Sequence, residues 1–302
     1  MGTPGVWRHD DFKGERLLAQ LLNFREAAAR LKAIRSWDNE REAGEIRPPG
    51  WLLLAMEGRA PWELWASLLS LPILRQAPTG DGHPVVVFPG LATGDMTTLV
   101  LRNFLKDRGY TPYAWEQGLN RGPRPGVIEA CVDRVQQLSA EHGRSVSLVG
   151  WSLGGIYARE IAKMIPEAVR GVTTLSTPFA GSPKANNVWR LYEFASGQRI
   201  DEDPRLARLK ETPPVPTTSI YSRTDGVVAW QCCVEQESEC SENIEVHASH
   251  LGIGVNPTAL YAVADRLSLP EGQWQRFDRD GIGGLKKLLY LDPARKTPFG
   301  VF

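Results

Sequence analysis

Val146-Ser147-Leu148-Val149-Gly150-Trp151-Ser152-Leu153-Gly154-Gly155 runs from an apolar strand through a G-x-S-x-G turn towards a helix, and its reading decides the fold. Glycines at 150 and 154 carry no β-carbon where strand, turn and helix converge, so the turn can force Ser152 out at its apex. The same geometry aims a helix N-terminus at the serine. The backbone N–H of Leu153 then points to the place where an oxyanion forms during acyl transfer. Five letters alone are weak evidence for a nucleophile, so the context must supply its partners.

A serine hydroxyl is hardly ionised at neutral pH; it needs a base, and the base needs a carboxylate to orient it. Thr217-Thr218-Ser219-Ile220-Tyr221-Ser222 is β-branched and aromatic and predicts a strand. It opens into Arg223-Thr224-Asp225-Gly226, a turn that holds Asp225 at the strand's C-terminal end. Asn243 to His247 alternates as a short strand, and the loop through Ala248, Ser249 and His250 leads to a helix beginning near Asn256-Pro257. Two histidines compete for the base. His247 ends the strand, whereas His250 lies in a loop that can reach Ser152, and His250 is favoured. Asp201, Glu202 and Asp203 follow no strand and read as solvated surface, and Asp265 lies in a helical pattern. The order Ser, Asp, His, each just after a predicted strand, places all three at the edge where open α/β sheets build their sites.

With these residues the chain resembles the α/β-hydrolase superfamily, in particular its bacterial lipase-like and esterase-like serine hydrolases. Val85-Val86-Val87-Phe88-Pro89-Gly90-Leu91 is similar to the strand and oxyanion loop of those enzymes, and the resemblance implies that the N–H of Leu91 joins that of Leu153 as an oxyanion donor. Thr177-Pro178-Phe179-Ala180-Gly181-Ser182 is similar to their T-P-x-x-G-S loop, and Asp225-Gly226-Val227-Val228 resembles the segment carrying their acid. Two positions depart from the pattern. Pro89 stands where many such lipases carry His, and Phe179 replaces another frequent His; both changes make the mouth less polar and leave the backbone donors untouched.

The resemblance implies an α/β-hydrolase fold, and the alternation of elements agrees with it. Strands expected at 85–88, 113–115, 145–149, 171–176, 217–222 and 243–247 alternate with helical patterns, which predicts a mostly parallel sheet of about six strands with helices on both faces. The expected organisation is an N-terminal helical extension over 1–80, a core over 81–270 with a helical cap insertion at 181–216, and a C-terminal tail over 271–302. Pro61 suits the first turn of a helix running to Leu69. Trp51, Trp62 and Trp65 in the extension are expected to pack onto the core, with docking at a lipid surface as the alternative.

Composition bounds the function. The 302 residues, 42% of them apolar, suffice for one sizeable core. With 35 acidic and 35 basic residues the formal net charge is zero, so no global field draws the chain to nucleic acid. Met1 to Asp11 is polar, and the apolar run Trp51 to Met56 is short and broken by Glu57, Arg59 and Glu63, so a cytoplasmic location is expected. Cys131 reads as a buried packing thiol. Cys232, Cys233 and Cys240 cluster between the acid and the base, as reduced thiols or with one disulfide from Cys240 to Cys232 or Cys233; no second ligand pair of zinc-site spacing accompanies them.

The expected chemistry is acyl transfer to water. His250 takes the proton of Ser152, Asp225 holds the imidazole, and the amides of Leu91 and Leu153 bind the oxyanion, with no metal or cofactor. Trp151 and Phe179 are expected to bind substrate, and with the leucines they favour a hydrophobic acyl group on a carboxylic or lipid ester. A thioesterase, amidase or acyltransferase on the same site, or a catalytically silent fold that binds a lipid or a partner, are the alternatives. A small-molecule ester or lipid is the expected partner, with weak peripheral membrane contact and no nucleic acid.

Overall fold

The computed structural model describes residues 46–181, 185–187, 206–279, 286 and 289–290. The expected cap at 181–216 falls largely outside the described residues, as does most of the tail. Contacts divide the chain into two compact units, Met1–Glu45 and Ile46–Phe302, and the sheet belongs to the second together with residues 46–80.

Six parallel strands form one sheet: β1 (Pro84–Phe88), β2 (Thr111–Ala114), β3 (Val146–Trp151), β4 (Val169–Leu175), β5 (Thr217–Tyr221) and β6 (Ser241–Glu245). Their order is β2-β1-β3-β4-β5-β6. The chain therefore moves outward from β1 to β2, then returns to the other side of β1 to lay down β3. At such a reversal the loops leaving neighbouring strands diverge to opposite faces and open a crevice at the carboxyl ends. Here those loops are the ones that follow Phe88 and Trp151.

Side chains alternate across each strand, so the sheet feeds two cores. Val85, Val87, Val149, Leu175, Ile220 and Ile244 face helices α4 (Leu99–Asp107) and α8 (Pro257–Leu267), through Leu101, Phe104, Leu105, Leu260 and Val263. Val86, Phe88, Val146, Leu148 and Val172 face α5 (Val127–His142) and α6 (Leu153–Met164), through Val135, Leu138, Ala158 and Ile161. A 3-10 turn at Asp95–Thr98 leads into α4, and Gly109, at φ 85°, lies just beyond its end. A one-turn helix α7 (Leu206–Leu209) precedes β5. Asn256 caps α8, its side-chain oxygen accepting from the N–H of Thr258 at 3.0 Å and of Ala259 at 3.4 Å.

Before the sheet come α1 (Trp51–Met56), a 3-10 turn Glu57–Arg59, α2 (Ala60–Leu69) with Pro61 in its first turn, and α3 (Leu71–Leu74). These helices are turned contrary to expectation. Trp51, Trp62 and Trp65 do not pack onto the core; they are 80%, 73% and 60% exposed, while Glu57 and Glu63 are only 5% and 9% exposed. The reason is hydrogen bonding. The surface beneath them consists of loops with unpaired backbone N–H groups, which a carboxylate satisfies and an indole cannot. Among the described residues no helix is long and apolar enough to cross a membrane.

Candidate active site

The elbow after β3 has the form that the glycines foretold. Ser152 adopts φ 52° and ψ −123°, and its N–H is tied to the carbonyl of Leu175 at 2.8 Å. A β-carbon at Gly150 would stand 2.3 Å from the Cα of Gly155, and one at Gly154 would stand 2.3 Å from the carbonyl oxygen of Phe88. Strand, turn and helix thus meet only because both positions lack side chains. A non-glycine residue held at φ 52°, as Ser152 is, stores about 1–3 kcal/mol of backbone strain. Ser152→Gly is accordingly expected to be more stable than Ser152→Ala by about 1 kcal/mol after the greater chain entropy of glycine is subtracted. Urea unfolding of the two variants measures the difference, and a less stable glycine variant would contradict the strain.

Asp225 follows β5 and His250 follows β6, and the structure brings both to Ser152. The Oγ of Ser152 lies 2.9 Å from Nε2 of His250, and Nδ1 of His250 lies 2.7 Å from Oδ2 of Asp225. All three residues are buried. The other carboxylate oxygen of Asp225 accepts from the N–H groups of Val227 and Val228, each at 2.8 Å, which fixes the plane of the carboxylate. Burial by itself pushes the imidazolium of His250 down. The charge and hydrogen bond of Asp225 and the charge of Glu57 outweigh it, so its pKa lies above the usual imidazole value. His247, the competing histidine, contributes its backbone carbonyl, which accepts from the side-chain amide of Asn256 at 2.9 Å.

Leu153 is the first residue of α6, where a helix leaves its N–H groups without an internal acceptor. Leu91 lies in the loop after β1, and among the described residues neither its N–H nor that of Leu153 has a hydrogen-bond partner. Asn120, which no motif singles out, holds that loop. Its side-chain amide nitrogen donates to the carbonyl of Pro89 at 2.8 Å, and its backbone carbonyl accepts from the N–H of Ala92, itself at φ 56°, at 2.7 Å.

The two residues expected to bind substrate are engaged with the protein itself. Trp151 donates from its indole Nε1 to the carbonyl of His250 at 3.0 Å, and its ring lies tilted 6.2 Å from the imidazole. It therefore supports the histidine loop. Phe179 is buried, with the guanidinium carbon of Arg159 3.8 Å from its ring centre. An aromatic face so covered serves a buried cation and not an open acyl mouth.

The four cysteines are free thiols. Cys232 and Cys233 pack with Tyr221, Val227, Val228 and Ala229 beneath the Asp225 loop, so they brace it by contact and without a bridge. Burial pushes the Cys232 thiol up to about 11 and that of Cys131 up to about 12, which keeps both protonated and unreactive.

A second Asp, His and Ser trio lies near the amino ends of the strands. Nδ1 of His83 is 2.6 Å from Asp81 and Nε2 is 2.9 Å from the hydroxyl of Ser147. Distances alone would not separate it from the first. Ser147, however, is an ordinary buried strand residue paired with Val85 and Gly171, without a turn or a helix N-terminus behind it. Asp81 is shared with Arg144 and Arg170, and burial together with those cations pushes the His83 imidazole below its usual value. This trio ties strand ends together.

A parallel sheet with its strand reversal at β1, and a strained serine between β3 and a helix, define a class. The alpha/beta hydrolase family model matches residues 58–280 of this chain. The chain belongs to that family. Among solved structures it is similar to lipase B of Aspergillus fumigatus, at 22% identity over 64% of this chain and 54% of that one, with a TM-score of 0.47. It is also similar to the monoacylglycerol lipase of Paleococcus ferrophilus, at 17% identity over 62% of this chain and 96% of that one, with a TM-score of 0.45. An alpha/beta superfamily hydrolase of Oenococcus oeni matches at 16% identity over 62% of this chain and 91% of that one, with a TM-score of 0.47. The match to the Aspergillus enzyme spans about half of that protein's length. These similarities say nothing about substrate. Comparison with curated proteins finds no match.

Proposed function

We propose that the protein is a serine hydrolase that cleaves carboxylic esters with a hydrophobic acyl group. The observation that carries this reading is the relay of 2.9 and 2.7 Å from a serine at positive φ, through a buried imidazole, to a carboxylate held by two backbone N–H groups. In this reading Nε2 of His250 accepts the Ser152 proton as Oγ attacks the ester carbonyl carbon, and the imidazolium that forms lies against Asp225. The oxyanion is received by the N–H groups of Leu91 and Leu153. Collapse expels the alcohol, which takes the proton from His250 and leaves an acyl-serine. A water that gives its proton to His250 then attacks the acyl carbon, and as the acyl–Oγ bond breaks Oγ takes that proton back from His250, releasing the acid and restoring Ser152.

Apolar surface supports a hydrophobic acyl group. Met96 and Leu251, on the segments that follow Leu91 and His250, are both exposed, and burying a hydrocarbon against such side chains gains about 0.8 kcal/mol per methylene. A fluorophosphonate probe together with a panel of p-nitrophenyl esters of increasing acyl length tests the proposal. Covalent mass gain at Ser152, and turnover that Ser152→Ala abolishes, are expected. A folded protein that neither labels nor turns over any ester would instead favour a silent binding fold, and transfer to added alcohols or thioester cleavage would favour the other acyl chemistries.

The outward face of α1 and α2 supports contact with a lipid surface. It exposes Trp51, Trp62 and Trp65, and both carboxylates of that stretch are buried while Arg47 and Arg75 are exposed, so its ionic complement is an anionic headgroup. Sedimentation with phosphatidylcholine vesicles containing phosphatidylglycerol is expected to pull down the wild type, and more weakly the Trp62→Ala, Trp65→Ala double variant. Equal recovery of the two would remove this face from the reading.

A further inference from the structure

The 3-10 turn between α1 and α2 delivers a carboxylate to the backbone of both loops that carry the site. Oε1 of Glu57 accepts from the N–H of Gly226 at 2.7 Å and from that of His250 at 3.0 Å, and Oε2 accepts from Leu251 at 2.9 Å. The first of these donors adjoins Asp225, and the second belongs to the histidine itself. Neighbouring residues reinforce the grip. Glu63 accepts from the N–H of Ser249 at 2.7 Å and from the side chain of Asn256 at 3.1 Å, and Arg59 donates to the carbonyl of Thr224 at 2.7 Å. The fit is tight enough that a β-carbon on Gly226 would stand 2.1 Å from the carbonyl oxygen of Leu53 in α1.

We propose that Glu57 is a positioning residue of this active site, which sets the separation of Asp225 and His250 by holding the backbone of both loops on one carboxylate. The proposal rests on the reading that these two residues serve Ser152. Each loop leaves a different strand, β5 or β6, and the strands stop at Tyr221 and Glu245, several residues short of the functional side chains. A rigid tie between them is what converts two loops into one base and acid pair. Glu57 also adds negative charge beside the imidazole. The groups facing His250 are Asp225 at Nδ1, Ser152 at Nε2, the Trp151 ring at its side and Glu57 at its backbone, with Glu63 one residue earlier and Arg59 3.4 Å from Glu63. The stretch matched by the family begins at residue 58, so this carboxylate is supplied from just outside it.

Glu57→Gln and Glu57→Asp separate positioning from mere stability. Glutamine removes the charge and turns an NH2 group towards at least one backbone N–H; aspartate keeps the charge and is one methylene too short to reach both loops. With a p-nitrophenyl ester, Glu57→Gln is expected to lower kcat by about 10- to 100-fold and to move the acidic limb of the pH profile to lower pH. Glu57→Asp is expected to lower kcat similarly and to leave the limb in place. Glu242, a buried carboxylate that binds Arg266 and the N–H of Phe277, provides the control: Glu242→Gln costs stability without moving the limb. A folded Glu57→Gln with kcat within about twofold of the wild type and an unmoved limb overturns the proposal. If that variant does not fold, wild-type kcat in Glu57→Asp overturns it. Loss of the function reading itself would appear separately, as turnover that survives Ser152→Ala.

Discussion

Replacing Ser152 by alanine is expected to lower kcat on a medium-chain p-nitrophenyl ester by about 10^4- to 10^6-fold, with fluorophosphonate labelling abolished. The size follows from what is removed. Without Oγ there is no acyl-serine, and the remaining oxyanion donors and bound water can supply only a residual rate. The substitution leaves Cβ in place at φ 52°, so neither the strain of the elbow nor the packing of Gly150 and Gly154 changes, and the unfolding midpoint should stay close to that of the wild type. Loss of turnover with stability retained assigns the chemistry to this hydroxyl. Turnover within tenfold of wild type would assign it elsewhere, and the buried Ser147 beside His83 would be the first residue to examine.

Asp225→Asn is expected to cost about 10^4-fold in kcat with little loss of packing. One oxygen of Asp225 accepts from Val227 and Val228, so an asparagine keeps its carbonyl oxygen there and must turn its NH2 towards Nδ1 of His250. An imidazole facing a donor at Nδ1 carries its proton on Nε2. That tautomer donates to Ser152 and cannot take its proton. Removing the negative charge also lowers the pKa of His250, so the residual activity should persist to lower pH than in the wild type. Rates at the plateau above neutral pH, with labelling measured in parallel, decide the matter. A variant within tenfold of wild type would mean that another group orients the imidazole.

The fold was legible because its signals are local. A run such as Val85-Val86-Val87-Phe88 buries side chains on both faces, which only a strand covered by helices on each side permits, and strands of this and weaker kinds alternating with helical patterns leave few alternatives to a parallel sheet. The elbow was legible for a related reason: Gly150 and Gly154 are dictated by contacts within a few residues of themselves. Asp225 and His250 could be chosen because each follows a strand, and the carboxyl ends of parallel strands share one edge.

The sequence by itself thus determined the sheet, the serine at its apex and the identity of two residues that could reach it. Tertiary structure alone decided which way the first helices turn and what Glu57, Glu63, Asn120 and Trp151 do. Reading Glu57 and Glu63 as breaks in an apolar run was sound by composition, since carboxylates are seldom buried without partners. Their partners are backbone N–H groups of Gly226, Ser249, His250 and Leu251, more than 150 residues away along the chain. A backbone N–H has no signature in a sequence, because every residue but proline carries one. Only the folded chain selects which of them are left without an acceptor, and so which buried charge they require.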